Sequence, residues 1–409
     1  MADEKTILLT PHDDGFGAFS TMRALARALQ AKAQSKGITL RFIFLSGKKG
    51  PQDLDQCQGK GLHFVKRDLL YEIGRTPETG NVDPPRILEV LKRISVEAPD
   101  WASGIDWSQC AAHPGKDCGL EWDNINLCIS MGVPWLHRAA RRHKIPSIEL
   151  GDTSVSLILR GCLEEGGLLT PFANRILDDV AENELMAGEA WLLPFATPPV
   201  YETHFASGGV PVNWLPGLFG TREPGAEKYA KDLRAGILKD PRFKGRQHLV
   251  GVHSGKTATW NSINRQLVAL GKSSKCAYVT AGMGPQLYPL KPGGKNKLPS
   301  AKVRSTSLRA QELCLTRGGI SALEHVVACC PIAITEEPLH WLSHHQRAAL
   351  VRGGLCIPIS LDDLRRDPDQ FCADLLEKRE DELEQIKRRM AGIQVGADEW
   401  FADYILEKL

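Results

Sequence analysis

No apolar run in the 409 residues approaches the roughly 20 needed to cross a bilayer. The opening MADEKTILLT is charged and passes straight into an apolar strand, which is not the pattern of a cleaved secretory leader. An excess of either charge is lacking too. A formal net charge of +2 gives no electrostatic argument for a polyanion partner, although a local basic patch fits inside a neutral total. Eleven cysteines are present, but an odd number without regular spacing is no disulfide framework; reduced thiols in a cytoplasm are expected. Internal repeats are missing beyond a loose likeness of two α/β halves. What remains is ordinary globular material, 42% hydrophobic and 24% charged. The length exceeds one comfortable core and fits two domains of about 200 residues each.

Strand and helix signals alternate from the start, the pattern of parallel βαβ units. Strands are expected at Thr6–Thr10, Leu40–Leu45, Leu127–Ser130, Ser147–Leu150 and Ala190–Leu193. Helices are expected at Ala18–Ala33, Pro85–Glu97, Pro134–His143 and near Pro171–Leu185; in the first, Met22, Leu25, Ala26 and Leu29 share one face. Residues 46–125 read as loops around the Pro85–Glu97 helix. Pro216 to Gly225 is the best linker. The alternation then restarts with strand His248–His253, helix Trp260–Leu270 and strand Cys276–Thr280, followed by a lysine-rich loop over Pro289–Pro299. One long charged helix (Pro368–Met390) and a short one (Asp398–Leu409) end the chain. Trp191-Leu192-Leu193-Pro194-Phe195 fits a buried strand, with peripheral membrane contact as the alternative.

The stretch from Leu313 to Ile359 carries the most chemistry. An apolar strand (Leu313–Thr316) runs into Arg317-Gly318-Gly319, and a helix opens with Ser321 and Glu324 in its first turns. Two glycines at a strand-to-helix turn let backbone N–H groups approach a phosphate, and the helix start adds partial positive charge. Glu324 lies one turn on, within reach of a ribose on that phosphate; spaced three after Ser321, it also fits a capping box. A strand at Pro331–Ile334, an acidic loop (Glu336, Glu337, Pro338) and a helix carrying His344, His345 and Gln346 follow. Ser254-Gly255-Lys256 leaves another strand; it is either a diphosphate contact or an ordinary glycine turn. Gly251 stands one residue too close for a Walker loop.

These residues resemble the donor half of nucleotide-sugar glycosyltransferases with two Rossmann-like domains. The likeness is to the muropeptide N-acetylglucosaminyltransferase and UDP-glycosyltransferase group, with a C-terminal domain like that of glycosyltransferase family 28. Arg317-Gly318-Gly319-Ile320-Ser321-Ala322-Leu323-Glu324 and His345-Gln346 match the R/S-G-G/A-x-S/T-x-x-E and H/D-Q elements, over about 45 residues. Asn126–Leu150 resembles the acceptor-domain strand, glycine turn, helix and strand. The resemblance implies an α/β fold of two Rossmann-like domains facing across a cleft, with C-terminal helices crossing back to the N-terminal domain. It further implies donor contacts from Ser254, Gly255, Lys256, Arg317, Gly318, Gly319, Ser321, Glu324, His345 and Gln346. Arg317 would neutralise the leaving diphosphate, Glu324 would hold the ribose, and His345 with Gln346 would meet the sugar. The expected domains are 1–220 for the acceptor and 221–390 for the nucleotide sugar, with 391–409 packing back on the first.

The loop Thr10-Pro11-His12-Asp13-Asp14-Gly15-Phe16-Gly17 leaves the first strand at its carboxyl end, where α/β sheets bind ligands. An inverting transfer needs a base for the acceptor hydroxyl, and Asp13 or Asp14, then His12, are candidates. Relatives place a histidine before the first helix where this chain has Gly17, so the base stays open. Gly15, Gly17, Glu149 and Asp152 are candidate acceptor contacts. A zinc N-deacetylase reading of His12-Asp13-Asp14 lacks a downstream His-x-x-His, and Cys110, His113 and Cys118 match no common zinc spacing.

The expectation is a glycosyltransferase moving a hexosyl or N-acetylhexosaminyl group from a UDP-sugar to a hydroxyl or amine. The resemblance implies inversion with neither metal nor cofactor, the nucleotide sugar serving as co-substrate. A nucleotide-sugar 2-epimerase and a non-catalytic nucleotide-sugar binder are the alternatives. The acceptor stays open among lipid-linked sugar, small metabolite, peptide and modified nucleobase.

Overall fold

A computed structural model describes the chain except residues 1–3, 13–15, 48–61, 71–72, 77–80, 108–120, 152–153, 223–224, 254–257, 270–273, 281–287, 290–307 and 338. It divides into two compact units. Unit 1 comprises Met1–Arg75, Val82–Phe219 and Gly396–Leu409; unit 2 comprises Thr76–Asn81 and Gly220–Val395.

Unit 1 is built on a parallel sheet. Its strands are β1 (Glu4–Pro11), β2 (Thr39–Ser46), β3 (Leu62–Lys66), β4 (Leu127–Met131), β5 (Ser147–Gly151), β6 (Glu189–Leu192) and β7 (Val212–Trp214). Their order is β3-β2-β1-β4-β5-β6-β7. Strands β4, β5 and β6 are buried along their whole length, as parallel strands covered on both faces must be. The helix Phe16–Ser35 buries the stripe Met22, Leu25, Ala26 and Leu29. Against it packs the last helix, Ala397–Lys408, with the Lys32 ammonium 2.6 Å from the Asp403 carboxylate. Phe401 of that helix and the half-exposed Trp400 close on Trp191 of β6, each with ring centroids 5.3 Å from it. Of the segment expected as a buried strand, Trp191 and Leu192 end β6; Leu193 is buried beyond it, and Pro194 and Phe195 form a half-buried turn.

Unit 2 repeats the plan with β8 (His248–His253), β9 (Cys276–Thr280), β10 (Tyr288–Pro289), β11 (Leu313–Thr316), β12 (Ile332–Ile334) and β13 (Cys356–Pro358). The order β10-β9-β8-β11-β12-β13 is again that of a doubly wound parallel sheet. The helix Ala226–Leu238 supplies Ala230 and Ile237 to a core with Leu249, Ala277 and Val279. No helix among the described residues is long and apolar enough to cross a membrane.

Several elements depart from the sequence expectation. The charged run expected as one helix over Pro368–Met390 is two, Pro368–Lys378 and Glu380–Gly392, broken at Arg379 (φ −124°, ψ 30°). No glycine or proline marks the break. The charges do: Lys378 ends one helix, and Glu380, Asp381 and Glu382 fill the first turn of the next, each sign where the helix dipole favours it. The helix Val155–Glu165 is a further addition: it buries the stripe Val155, Ile158, Leu159 and Cys162, with Gly161, a weak helix former, inside it. Strands β3, β7 and β13 and the helices Val200–Ser207, Ala226–Leu238 and Leu361–Arg366 are likewise short or weakly patterned additions.

Candidate functional site

In a doubly wound sheet, neighbouring strands whose connections run in opposite directions part at their carboxyl ends and leave a crevice. Those strands are β1 and β4 in unit 1, and β8 and β11 in unit 2. The segments singled out from sequence leave these strand ends. His253 of β8 lies beside Thr316 of β11, so Ser254-Gly255-Lys256 and Arg317-Gly318-Gly319 start from adjacent positions. Residues 254–256 themselves lie outside the described residues.

After β11 the chain turns through Gly318 (φ 100°) and Gly319 (φ 85°), both in the region that glycine alone enters without strain. The Gly318 N–H donates to the Thr316 hydroxyl at 3.2 Å. A methyl group on Gly318 would meet Ile334 Cδ1 at 3.3 Å, whereas no described atom lies within 4 Å of the corresponding point on Gly319. Among the described residues, then, nothing crowds the main chain at Gly319 on that side. The helix Ile320–Ala328 starts here with Gly319 as its N-cap and no capping side chain. The Ala322 N–H closes the first turn on the Gly319 carbonyl at 3.0 Å, and the helix start contributes its partial positive charge. With Gly319 at the N-cap, Ser321 is the second helical residue, so Ser321 and Glu324 do not form the capping box their spacing allows. Glu324 is half-buried one turn further on.

The remaining groups converge from β12 and the helix Trp341–Arg352. Gln346, buried, accepts the Gly319 N–H on Oε1 at 3.0 Å. Arg317 donates Nη1 to Glu337 Oε2 at 2.6 Å, a charge-assisted bond to a carboxylate only 5% exposed. The Ser343 hydroxyl donates to the Arg317 carbonyl at 3.0 Å, and His344 Nε2 meets the Glu337 carbonyl at 2.9 Å. The His345 ring packs against Trp341, centroids 4.3 Å apart. Arg317, Gly318, Gly319, Gln346 and Glu337 thus form one connected cluster. Sequence reasoning noted Glu337 only as part of an acidic loop; nothing local to it announces a partner twenty residues upstream.

In unit 1, His12 follows β1, and its N–H donates to the Met131 carbonyl at 3.0 Å. Asp13, Asp14, Gly15 and Asp152 lie outside the described residues, and Gly17 is in the first turn of the helix Phe16–Ser35. Glu149, expected to face an acceptor, is buried with both oxygens engaged. Oε1 accepts the Gly132 N–H at 2.8 Å and Oε2 accepts from His137 Nε2 at 2.8 Å.

The described residues hold no cluster of three or more metal-ligating side chains, and Cys110, His113 and Cys118 lie outside them. The chain also carries two Asp-x-Asp triplets, a spacing able to ligate a divalent metal. Asp53-Leu54-Asp55 lies outside the described residues. In Asp367-Pro368-Asp369 the first carboxylate caps a helix through the Gln370 N–H at 3.0 Å, and the second accepts from Ser274 at 2.6 Å and Tyr278 at 2.8 Å. Among the described residues eight cysteines are free, and seven of these are buried. Burial pushes the thiols of Cys276 and Cys356 up to about 12, which keeps them protonated and unreactive at neutral pH.

No family model and no curated protein matches the chain. Solved structures do. The UDP-glucose:anthocyanidin 3-O-glucosyltransferase in complex with UDP aligns with a TM-score of 0.56 at 11% identity, covering 99% of this chain and 95% of that one. The calicheamicin glycosyltransferase CalG4 gives 0.53 at 14%, covering 99% and 98%. UGT2 of Phytolacca americana, complexed with UDP-2-fluoro-glucose and pterostilbene, gives 0.53 at 12%, covering 99% of both chains. The chain shares their two-domain α/β fold.

Proposed function

We propose that this chain is a glycosyltransferase: unit 2 binds a UDP-linked sugar, and unit 1 receives the acceptor. One observation carries the reading. The Gly318–Gly319 turn opens an uncapped helix at the carboxyl end of β11, at the point of the sheet where such folds take ligands, with a carboxylate one turn on. Glycosyltransferase structures that share the fold over the whole chain, two of them holding UDP or a UDP-sugar, support it.

In this reading the diphosphate lies over the amides at the start of the Ile320–Ala328 helix, and Glu324 accepts the ribose hydroxyls. Binding exchanges partners. The Gly319 N–H passes from Gln346 to a phosphate oxygen, and Gln346 turns to the sugar hydroxyls with His345. Arg317 passes from Glu337 to the departing diphosphate, where it offsets the charge that develops as the glycosidic bond breaks. The acceptor hydroxyl loses its proton to a base in the His12–Asp14 loop and attacks the anomeric carbon from the opposite face, inverting it. The donor is hexosyl or N-acetylhexosaminyl, and no metal takes part in these steps.

Screening UDP-, GDP- and TDP-sugars by thermal shift tests the reading. A ligand at 100 times its dissociation constant stabilises by about 2.7 kcal/mol. A rise with a UDP-sugar supports the proposal; no rise with any nucleotide sugar contradicts it.

A further inference from the structure

Glu149 of β5 and His137 of the helix Pro134–Arg142 form a buried pair beside β4 in unit 1: His137 is fully buried and Glu149 is 3% exposed. Their hydrogen bonds converge on the Glu149 carboxylate, which accepts from both sides. The Ser147 hydroxyl meets His137 Nδ1 at 3.1 Å, and His137 Nε2 meets Glu149 Oε2 at 2.8 Å. Glu149 Oε1 then accepts the Gly132 N–H at 2.8 Å. The peptide unit that supplies this N–H also supplies the Met131 carbonyl, which accepts the His12 N–H at 3.0 Å. A carboxylate on one side of a single peptide bond and the His12 amide on the other therefore hold the same plane. Gly132 has φ 74°, so the plane sits in an orientation that a side chain at this position would strain. Ser130 closes the turn by accepting the Val133 N–H at 3.0 Å.

We infer that Glu149, oriented by His137, is a positioning residue that sets the backbone of His12 through the Met131–Gly132 peptide. The inference rests on reading the His12 loop as the place of acceptor activation. The electrostatics favour this arrangement. An ionised carboxylate accepting the N–H polarises the peptide and strengthens its carbonyl as an acceptor for His12. The imidazole N–H compensates the buried charge on its other oxygen. Both oxygens are thereby engaged, which is why Glu149 positions the loop and does not touch an acceptor. Register adds to this, since Pro11 pairs with Met131 and the His12 contact lies one residue beyond the ladder.

The test uses the full chain, isotopically labelled, in wild-type, Glu149→Ala and Glu149→Gln forms, with amide hydrogen exchange read at His12 and Gly132. Alanine leaves the Gly132 N–H without its acceptor, and exchange at His12 is expected to accelerate about tenfold or more. Glutamine offers its amide oxygen to Gly132 and is expected to restore the His12 rate to within about threefold. Should the alanine variant not fold, Glu149→Asp, which withdraws the carboxylate by one methylene, replaces it with the same expected readout. Turnover of UDP-glucose is followed in parallel, with kcat expected to fall at unchanged KM for the donor. A folded variant whose Gly132 exchange rises while His12 exchange stays at the wild-type rate overturns the inference. So does failure of glutamine to restore the His12 rate. If wild-type protein does not bind UDP-glucose, the donor reading fails, and the His12 rates still decide the positioning role.

Discussion

Replacing Glu337 by glutamine keeps the shape of the side chain and removes the charge that faces Arg317. Two effects of opposite sign follow. In the free protein, Arg317 loses a partner at 2.6 Å whose side chain is 5% exposed, while its own side chain is 25% exposed. Stripping one member from a fully buried pair costs about 3–5 kcal/mol. Partial exposure of Arg317 lets water take up some of its charge, so about 1–3 kcal/mol is the expected loss. For a domain of this size that is a fall of about 6 °C in Tm. In the complex, the guanidinium no longer has to leave a carboxylate before it reaches a phosphate, and UDP is expected to bind about tenfold more tightly. Differential scanning fluorimetry without ligand, and titration calorimetry with UDP, read the two halves separately. An unchanged Tm would mean the ion pair contributes nothing to the fold. Weaker UDP binding would mean that Glu337 holds Arg317 in its binding pose, and the argument that carboxylate and phosphate compete for it would be refuted.

Other expectations follow from single contacts. Glu324→Ala should weaken UDP binding about tenfold or more by calorimetry in a variant that still folds; equal affinity would remove the ribose assignment. Phe401→Ala empties a fully buried ring site beside Trp191 and should cost about 3–5 kcal/mol in urea denaturation; a loss under 1 kcal/mol would show that the last helix contributes little to unit 1. The Lys32–Asp403 pair has a pH signature. The hydrogen bond from Lys32 lowers the Asp403 carboxyl and the same bond raises the Lys32 ammonium. The carboxylate's contribution is present above its unfolded value near 4 and is lost as pH falls through the folded one; the ammonium's is present below its unfolded value near 10.4 and is lost as pH rises through the folded one. The stability difference between wild type and Asp403→Asn should therefore be level across neutral pH and shrink at both extremes; a difference that grows toward acid would contradict the pairing.

The fold was legible because its strands are short apolar runs at regular spacing. β8, β9 and β11 begin and end where the sequence puts them. The helix break at Arg379 was harder to read, since it depends on charge order and involves neither glycine nor proline. Within the site, what the local sequence could supply was the Gly318–Gly319 turn and the carboxylate after it. It could not supply pairings between distant segments: Arg317 with Glu337, Gln346 with Gly319, and Glu149 with His137 and Gly132. Each joins a polar side chain to a group on another element, and the partners meet only once the sheets have assembled. Glu149 shows the limit best. Its place at a strand end suggested an acceptor contact, and only the three-dimensional neighbours reveal that both its oxygens are used within unit 1.

The most direct measurement is a crystal structure of the chain grown with UDP. The account predicts the diphosphate over the amides of Gly319 and Ile320, Gln346 Oε1 withdrawn from the Gly319 N–H, and the ribose hydroxyls on Glu324. A structure with UDP bound elsewhere, or with Gln346 still on Gly319 at saturating ligand, would contradict it.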